Sequence, residues 1–352
     1  MESEIFKQDL NYIAESNLPF NDFHNKTFVI TGATGLVGSL LVKALLYCNE
    51  KKGLNLKVVA VVRNRNKAEK IFSDYMDSEG LSFIEQDLME PLCSFPAKID
   101  FIVHAAAVTA SAEMISHPVE NIHTSIRGTM SILELARDRH VKGMVYLSSM
   151  EVYGKLNVSD HLITEEELGE IDLSSARSCY PEGKRMCECL CNAYVHQYGL
   201  NIKAARLAQT FGAGIPKEEN RVFAQFAKSA LQNSDIVLRT RGLSEGNYIY
   251  TRDAVVAILL LLFKGEPGAY NVVNESSHTT IAQMAQMVAT EIAENRIRVV
   301  YDIPEDIAST GYAPDVKMHL SSKKLETLGW APSVGLKEAY QRMIESMEAY
   351  WR

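Results

Sequence analysis

The sequence predicts an α/β fold built on a doubly wound parallel sheet, with a smaller C-terminal lobe. Three observations carry this expectation: short continuous apolar runs, amphipathic helical stretches between them, and a glycine-rich turn that leads from the first run straight into a helix. Strands that are apolar on both faces and alternate with helices belong to a parallel sheet covered on both sides. A chain of 352 residues, 47% hydrophobic and 23% charged, has the length and composition to bury a full core.

Residues 1–25 form an N-terminal extension in which Ile5, Leu10, Ile13 and Leu18 are spaced for a short docking helix. From Thr27 the pattern runs strand 28–30, helix 32–47, strand 58–62, strand 101–104, helix 122–137 and strand 144–148, within a first domain expected at 26–210. Past Phe211 the texture becomes loops and short strands at 236–238, 270–273 and 298–301, closed by a helix at 336–350. Residues 211–352 are therefore expected to form mainly a substrate-binding lobe, with a segment near 247–263 returning to the first domain. The longest apolar run, 254–263, is about half of the ~20 residues that span a bilayer, so it reads as a buried helix and no membrane partner is expected. The start Met-Glu-Ser-Glu lacks a basic and then apolar leader, which predicts a cytoplasmic protein. A formal charge of −8 gives no basic footprint for nucleic acid.

Six cysteines stand at 48, 93, 179, 187, 189 and 191. The last three alternate along a helix, where only Cys187 and Cys191 share a face, and no ligand-spaced residue completes four-coordination. Small core residues are expected, and no metal.

The turn Thr31-Gly32-Ala33-Thr34-Gly35-Leu36-Val37-Gly38 follows a strand and opens a helix. Glycines there allow a tight turn, close approach of a pyrophosphate and close helix packing, while the helix N-terminus faces phosphate. Gly32, Thr34, Gly35, Leu36, Val37 and Gly38 are accordingly the expected contacts of a dinucleotide in a Rossmann domain. The second strand ends Val61-Val62-Arg63, without the carboxylate that usually holds the adenosine ribose of NAD. Arg63 either meets the 2′-phosphate of NADP or is a solvated loop charge, so NAD is expected and NADP stays open. Asp87 and Leu88, after the third strand, are placed for the adenine; Ala105 and Ala106 supply small residues where backbone nears the cofactor.

Catalytic chemistry is suggested by Ser148-Ser149-Met150-Glu151 and by Tyr180-Pro181-Glu182-Gly183-Lys184. A tyrosine near pKa ~10 is a poor base at neutral pH. A lysine one helical turn on, together with the charge of the bound cofactor, favours the phenolate. Ser149 is expected to bond the reacting hydroxyl, and Glu151 to lie one strand pitch further on, by the next carbon.

Glu151-Val152-Tyr153-Gly154 and Arg177-Ser178-Cys179-Tyr180-Pro181-Glu182-Gly183-Lys184-Arg185 resemble the UDP-glucuronate decarboxylase branch of the extended short-chain dehydrogenases, the NAD-dependent epimerase/dehydratase family. Further matches include Asn121 to Thr124, Gly128-Thr129, Arg206 to Gly212, Arg221-Val222 and Leu328-Gly329-Trp330, so the resemblance covers about 26–345. It implies Ser149, Glu151, Tyr180 and Lys184 as the catalytic set, a nucleotide-sugar substrate, and a homodimer joined through helices near 124–139 and 181–197. The chain departs from that pattern at Gln209, where the family places Asn, at Gly246, where it places Arg, and at Ser125, where Asn is common. Arg221, Arg239, Arg241 or Lys317 would then supply the charge that a diphosphate requires.

A 4-keto sugar has three fates. A C6 carboxylate β to the ketone leaves as carbon dioxide, a C6 hydroxyl is eliminated if an acid protonates it, or the ketone is reduced on its other face. The 4,6-dehydratases that this stretch also resembles carry Asp directly before the Glu; here Met150 has no proton to give. Epimerases usually manage without the Glu151 equivalent. Decarboxylation therefore ranks first, 4-epimerisation second, and dehydration or net reduction third. A dinucleotide-binding regulator that catalyses nothing is the non-enzyme alternative, disfavoured because Tyr180 and Lys184 are both kept.

Overall fold

Strand and helix follow one another because each apolar run is too short and too β-branched for a helix, and each intervening stretch buries one stripe only. The computed structural model describes residues 3–107, 111–156, 161–304 and 315–351. In order come α1 (Glu4–Glu15), β1 (Thr27–Thr31), α2 (Leu36–Lys52), β2 (Lys57–Val62), α3 (Arg65–Ile71), β3 (Leu81–Glu85), β4 (Phe101–His104), α4 (Ser111–Ser116), α5 (Pro118–Asp138), β5 (Gly143–Ser149), α6 (Cys179–Tyr198) and β6 (Ile202–Leu207). There follow β7 (Gln209–Phe211), α7 (Val222–Gln232), β8 (Ile236–Leu238), β9 (Glu245–Tyr250), α8 (Thr251–Lys264), β10 (Gly268–Val272), β11 (Asn274–Thr280), α9 (Ile281–Met287), β12 (Val299–Tyr301), α10 (Lys323–Glu326) and α11 (Leu336–Trp351).

The main sheet is seven-stranded and parallel throughout, in the order β10-β6-β5-β4-β1-β2-β3. Side chains alternate between its faces. Phe28, Ile30, Val58, Ala60, Val103 and Val145 pack under α1, α2 and α8, whereas Val29, Val59, Val61, Ile102, Met144 and Tyr146 pack under α5 and α6. The order reverses between β1 and β4, so a crevice opens beyond Thr31 and His104, the place where such sheets bind ligands.

Three sequence expectations change. Of the strand expected at 270–273 and assigned above to the C-terminal lobe, residues 270–272 belong to β10, which pairs with β6 and completes the main sheet. Glu151 does not continue β5; the strand stops at Ser149 and the chain turns into a single 3₁₀ turn, Met150–Tyr153. Of the clustered cysteines, Cys179, Cys187 and Cys191 are buried, but Cys189 is exposed, as helical spacing from its neighbours requires.

The C-terminal lobe closes its own core around Phe211, Phe223, Tyr248, Tyr250, Met284, Tyr340 and Met343. Helix α1 ties this lobe to the sheet domain. Its Asp9 carboxylate is buried and accepts from Tyr250 Oη at 2.7 Å, Arg342 Nη2 at 2.7 Å and Arg252 Nη1 at 3.2 Å. No helix among the described residues is long and apolar enough to cross a membrane.

Candidate active site

The crevice floor is built by residues with no room for side chains. Gly32 has φ +62°, and a Cβ there would lie 2.5 Å from the Ala105 carbonyl oxygen; one on Gly38 would lie 2.3 Å from Gly32 O. Gly35 differs. A Cβ there would meet only Gly32 O, at 3.3 Å, so its other side is open, and it sits as N-cap of α2 with no side chain capping the helix. The amides of Leu36, Val37 and Gly38 thus open a 17-residue helix toward the crevice. That arrangement fits the pyrophosphate of a dinucleotide.

A hydrogen-bonded chain locks the two central strands at this point. Thr31 Oγ1 accepts the amides of Ala105 at 3.1 Å and Ala106 at 3.2 Å, which leaves its own proton for His104 Nδ1 at 2.7 Å. The ring then carries its proton on Nε2 and donates to Thr129 Oγ1 at 3.2 Å, and Thr129 in turn donates to Cys187 Sγ at 3.2 Å. Burial, with a contribution from the nearby Lys184 charge, depresses the imidazole to about 3, so His104 is neutral. The histidine is a brace that sets Ala105 and Ala106 against Gly32.

At the edge of the crevice Arg63 is exposed and has no partner among the described residues. Asp87 is exposed too, its carboxylate accepting from Met89 N at 2.9 Å, and Leu88 is buried against α5 beside Gly128.

Tyr180 and Lys184 rise from the first turns of α6, and both are buried. Lys184 Nζ donates to Leu147 O at 2.6 Å and lies 5.8 Å from the Tyr180 ring centroid. Burial pulls the ammonium down to about 8. The phenol is pushed up to about 12, first by burial and then by the Glu151 charge, while a hydrogen bond with Ser149 and the Arg177 and Arg221 charges act the other way. Behind them, Ser148 Oγ donates to Glu188 Oε1 at 2.5 Å, and Arg206 grips the same carboxylate through Nε at 3.0 Å and Nη2 at 2.8 Å. This buried, satisfied network fixes the end of β5 against α6.

Ser149 caps the 3₁₀ turn by accepting Glu151 N at 3.2 Å, which folds the Glu151 side chain back toward Tyr180. Arg177, on the segment entering α6, meets it there: Nη2 donates to Oε1 at 2.9 Å and Oε2 at 2.8 Å. The sequence reading included Arg177 in a motif and gave it no role. The structure therefore brings together Ser149, Glu151, Tyr180 and Lys184, and adds Arg177.

The expected diphosphate contacts differ in how they are engaged. Arg221 caps α7 close enough to act on Tyr180, but it is held by Glu219 through Nε at 3.0 Å and Nη2 at 2.7 Å. Arg239 is ion-paired with Asp302. Arg241 and Lys317 are exposed and without partners among the described residues, and Gln209 is half-buried in β7, opposite Tyr248.

Residues 28–273 match the sequence model of the NAD dependent epimerase/dehydratase family. UDP-glucuronic acid decarboxylase 6 of Arabidopsis thaliana is 30% identical over 322 residues, 91% of this chain and 88% of that protein. UDP-glucuronic acid decarboxylase 1 of Danio rerio is 29% identical over 322 residues, 91% of this chain and 72% of its own. Among solved structures, UDP-glucose 4-epimerase of Thermotoga maritima superposes with a TM-score of 0.76 at 23% identity, covering 93% of this chain and all (100%) of that one. A dTDP-glucose 4,6-dehydratase of Streptomyces venezuelae gives 0.74 at 21% identity, covering 93% and 99%. These two structures share the fold.

Proposed function

The chain belongs to the NAD-dependent epimerase/dehydratase family, and on that footing we propose that it decarboxylates a UDP-glucuronate-like nucleotide sugar through a transient 4-keto intermediate. The observation that carries the reading is Ser149-Met150-Glu151. Met150 is partly buried against the core and is a thioether, and Glu151 is engaged as the ion-pair partner of Arg177. Neither is set to protonate a departing hydroxyl, which elimination needs and decarboxylation does not.

NAD would be held over Gly35 and the α2 N-terminus and, when bound, would supply the reversible hydride acceptor for C4. Tyr180 takes the C4 hydroxyl proton, with Ser149 sharing that hydrogen bond. The C5–C6 bond then breaks, its electron pair passing into the enolate of the 4-ketone; C5 takes its proton from water held at the Glu151–Arg177 pair, and Tyr180 gives its proton back to the C4 oxygen as the ketone is reduced. Lys184 keeps a positive charge beneath the phenol. Arg221, Arg241 and Lys317 are the diphosphate partners, Arg221 by exchanging part of its hold on Glu219. The working form is a homodimer packed through α5 and α6.

Mass spectrometry of the protein incubated with NAD and UDP-glucuronate tests this: the expected product is lighter by one carbon dioxide, with no lasting NADH absorbance. Loss of water from a hexose nucleotide, or an epimer of unchanged mass, with the uronate left intact, would replace decarboxylation by dehydration or epimerisation.

A further inference from the structure

Tyr180 and Glu151 make opposite demands. The tyrosine must lose a proton to act, and a carboxylate beside it disfavours the phenolate. Arg177 stands between them: one amino group, Nη2, reaches both Glu151 oxygens, and the guanidinium carbon lies 5.5 Å from the Tyr180 ring centroid. Its other amino group, Nη1, is buried and has no hydrogen-bond partner among the described residues. A guanidinium that leaves one nitrogen unsatisfied to keep a single carboxylate gives up a hydrogen bond for that position.

Other groups face the phenol among the described residues. Ser149 comes from the end of β5, Tyr146 lies within β5, and Lys184 on α6 is bonded to Leu147 O. Arg221, at the N-cap of α7, is paired with Glu219, and among the described side chains of α4 Met114 packs with the tyrosine. Arg177 is thus the cation committed to Glu151.

We propose that Arg177 is a positioning residue that cancels the Glu151 charge at Tyr180 and so sets the pH at which the tyrosine becomes a base. The proposal rests on Tyr180 being that base and not on the sugar. The burial and charge pattern around the phenol agrees, Glu151 acting to raise its proton affinity and Arg177 to lower it.

Phenolate absorbance in the near ultraviolet, followed against pH in the NAD-loaded protein, reads Tyr180 once the matched Tyr180→Phe protein is subtracted. Arg177→Met should move its titration upward by about one pKa unit or more. Arg177→Lys, which keeps the charge, should titrate close to wild type. Glu151→Gln should titrate lower, and Glu151→Gln with Arg177→Met should return toward wild type. An unmoved titration in Arg177→Met, or equal shifts in the Lys and Met variants, would overturn the proposal. If Arg177→Met does not fold, Glu151→Gln decides, and an unchanged titration there overturns it as well. No sugar enters the measurement, so a failed decarboxylation assay leaves its result intact.

Discussion

Tyr180 and Gly35 should fail in different ways when replaced. In the proposed mechanism the phenol acts on the sugar and not on the pyrophosphate, so Tyr180→Phe should lower turnover by roughly 10²–10⁴-fold while calorimetry finds NAD affinity unchanged. Gly35→Val should do the reverse, because its added side chain meets little protein and would fill the ligand's space. A valine protein that binds NAD normally would show that the dinucleotide does not lie over this turn. At this scale the sequence was legible where chemistry and spacing coincide, as in Tyr180 with Lys184 one turn on. Arg177 was not, because its partner Glu151 lies 26 positions away and a charged residue in a loop reads as solvated. His104 was hidden for a similar reason: its role as a neutral brace depends on Thr31 and Thr129, which only the folded sheet brings to its two nitrogens.

Among the elements, α1 joins the two halves of the molecule, and its apolar stripe of Ile5, Leu10 and Ile13 could be read from spacing alone. Asp9 could not, since an acidic residue on a short helix is ordinarily exposed; here Tyr250, Arg252 and Arg342 converge on it from β9, α8 and α11. Asp9→Ala would strand two largely buried guanidinium groups. We expect a loss of about 3–5 kcal/mol of stability, measured by chemical denaturation, with NAD affinity at low temperature little affected. A loss within the range of ordinary surface substitutions would show that water or rearrangement satisfies both arginines. The strand at β10 was legible but its place in the main sheet was not, because its partner β6 lies across β7, α7, β8, β9 and α8 in sequence, and pairing over that separation leaves no mark in the composition of either strand. The turn after Ser149 escaped it because Met150, Glu151, Val152 and Tyr153 suit a strand, and tertiary context, including the Ser149 cap, overrides that preference.

At the scale of the whole molecule, the outer side of α5 and α6 is a surface that the chain's own packing does not explain. Helices α5 and α6 lie side by side over one face of the sheet, with Ile132, Leu133, Cys187 and Cys191 turned inward. Their outer side carries large apolar groups: Val119 is 58% exposed, Ile122 38% and Met130 43% on α5, and Met186 48% on α6. Val119, Ile122 and Met130 fall within one stripe of a helical wheel, so they form a face and not scattered exposure. A second copy related by a two-fold axis would cover this stripe with the same stripe, α5 and α6 meeting their counterparts as four helices. Tyr180 and Lys184, the proposed catalytic pair, ride on the first two turns of α6, so such a contact would also stiffen the helix that carries them. Sedimentation at micromolar concentration should therefore give twice the chain mass. Met130→Glu combined with Met186→Glu, which places like charges at the centre of the contact, should yield monomers that still bind NAD through the distant β1–α2 turn. A wild-type protein that sediments as a monomer, or a double variant that remains dimeric, would mean that these apolar side chains serve another contact.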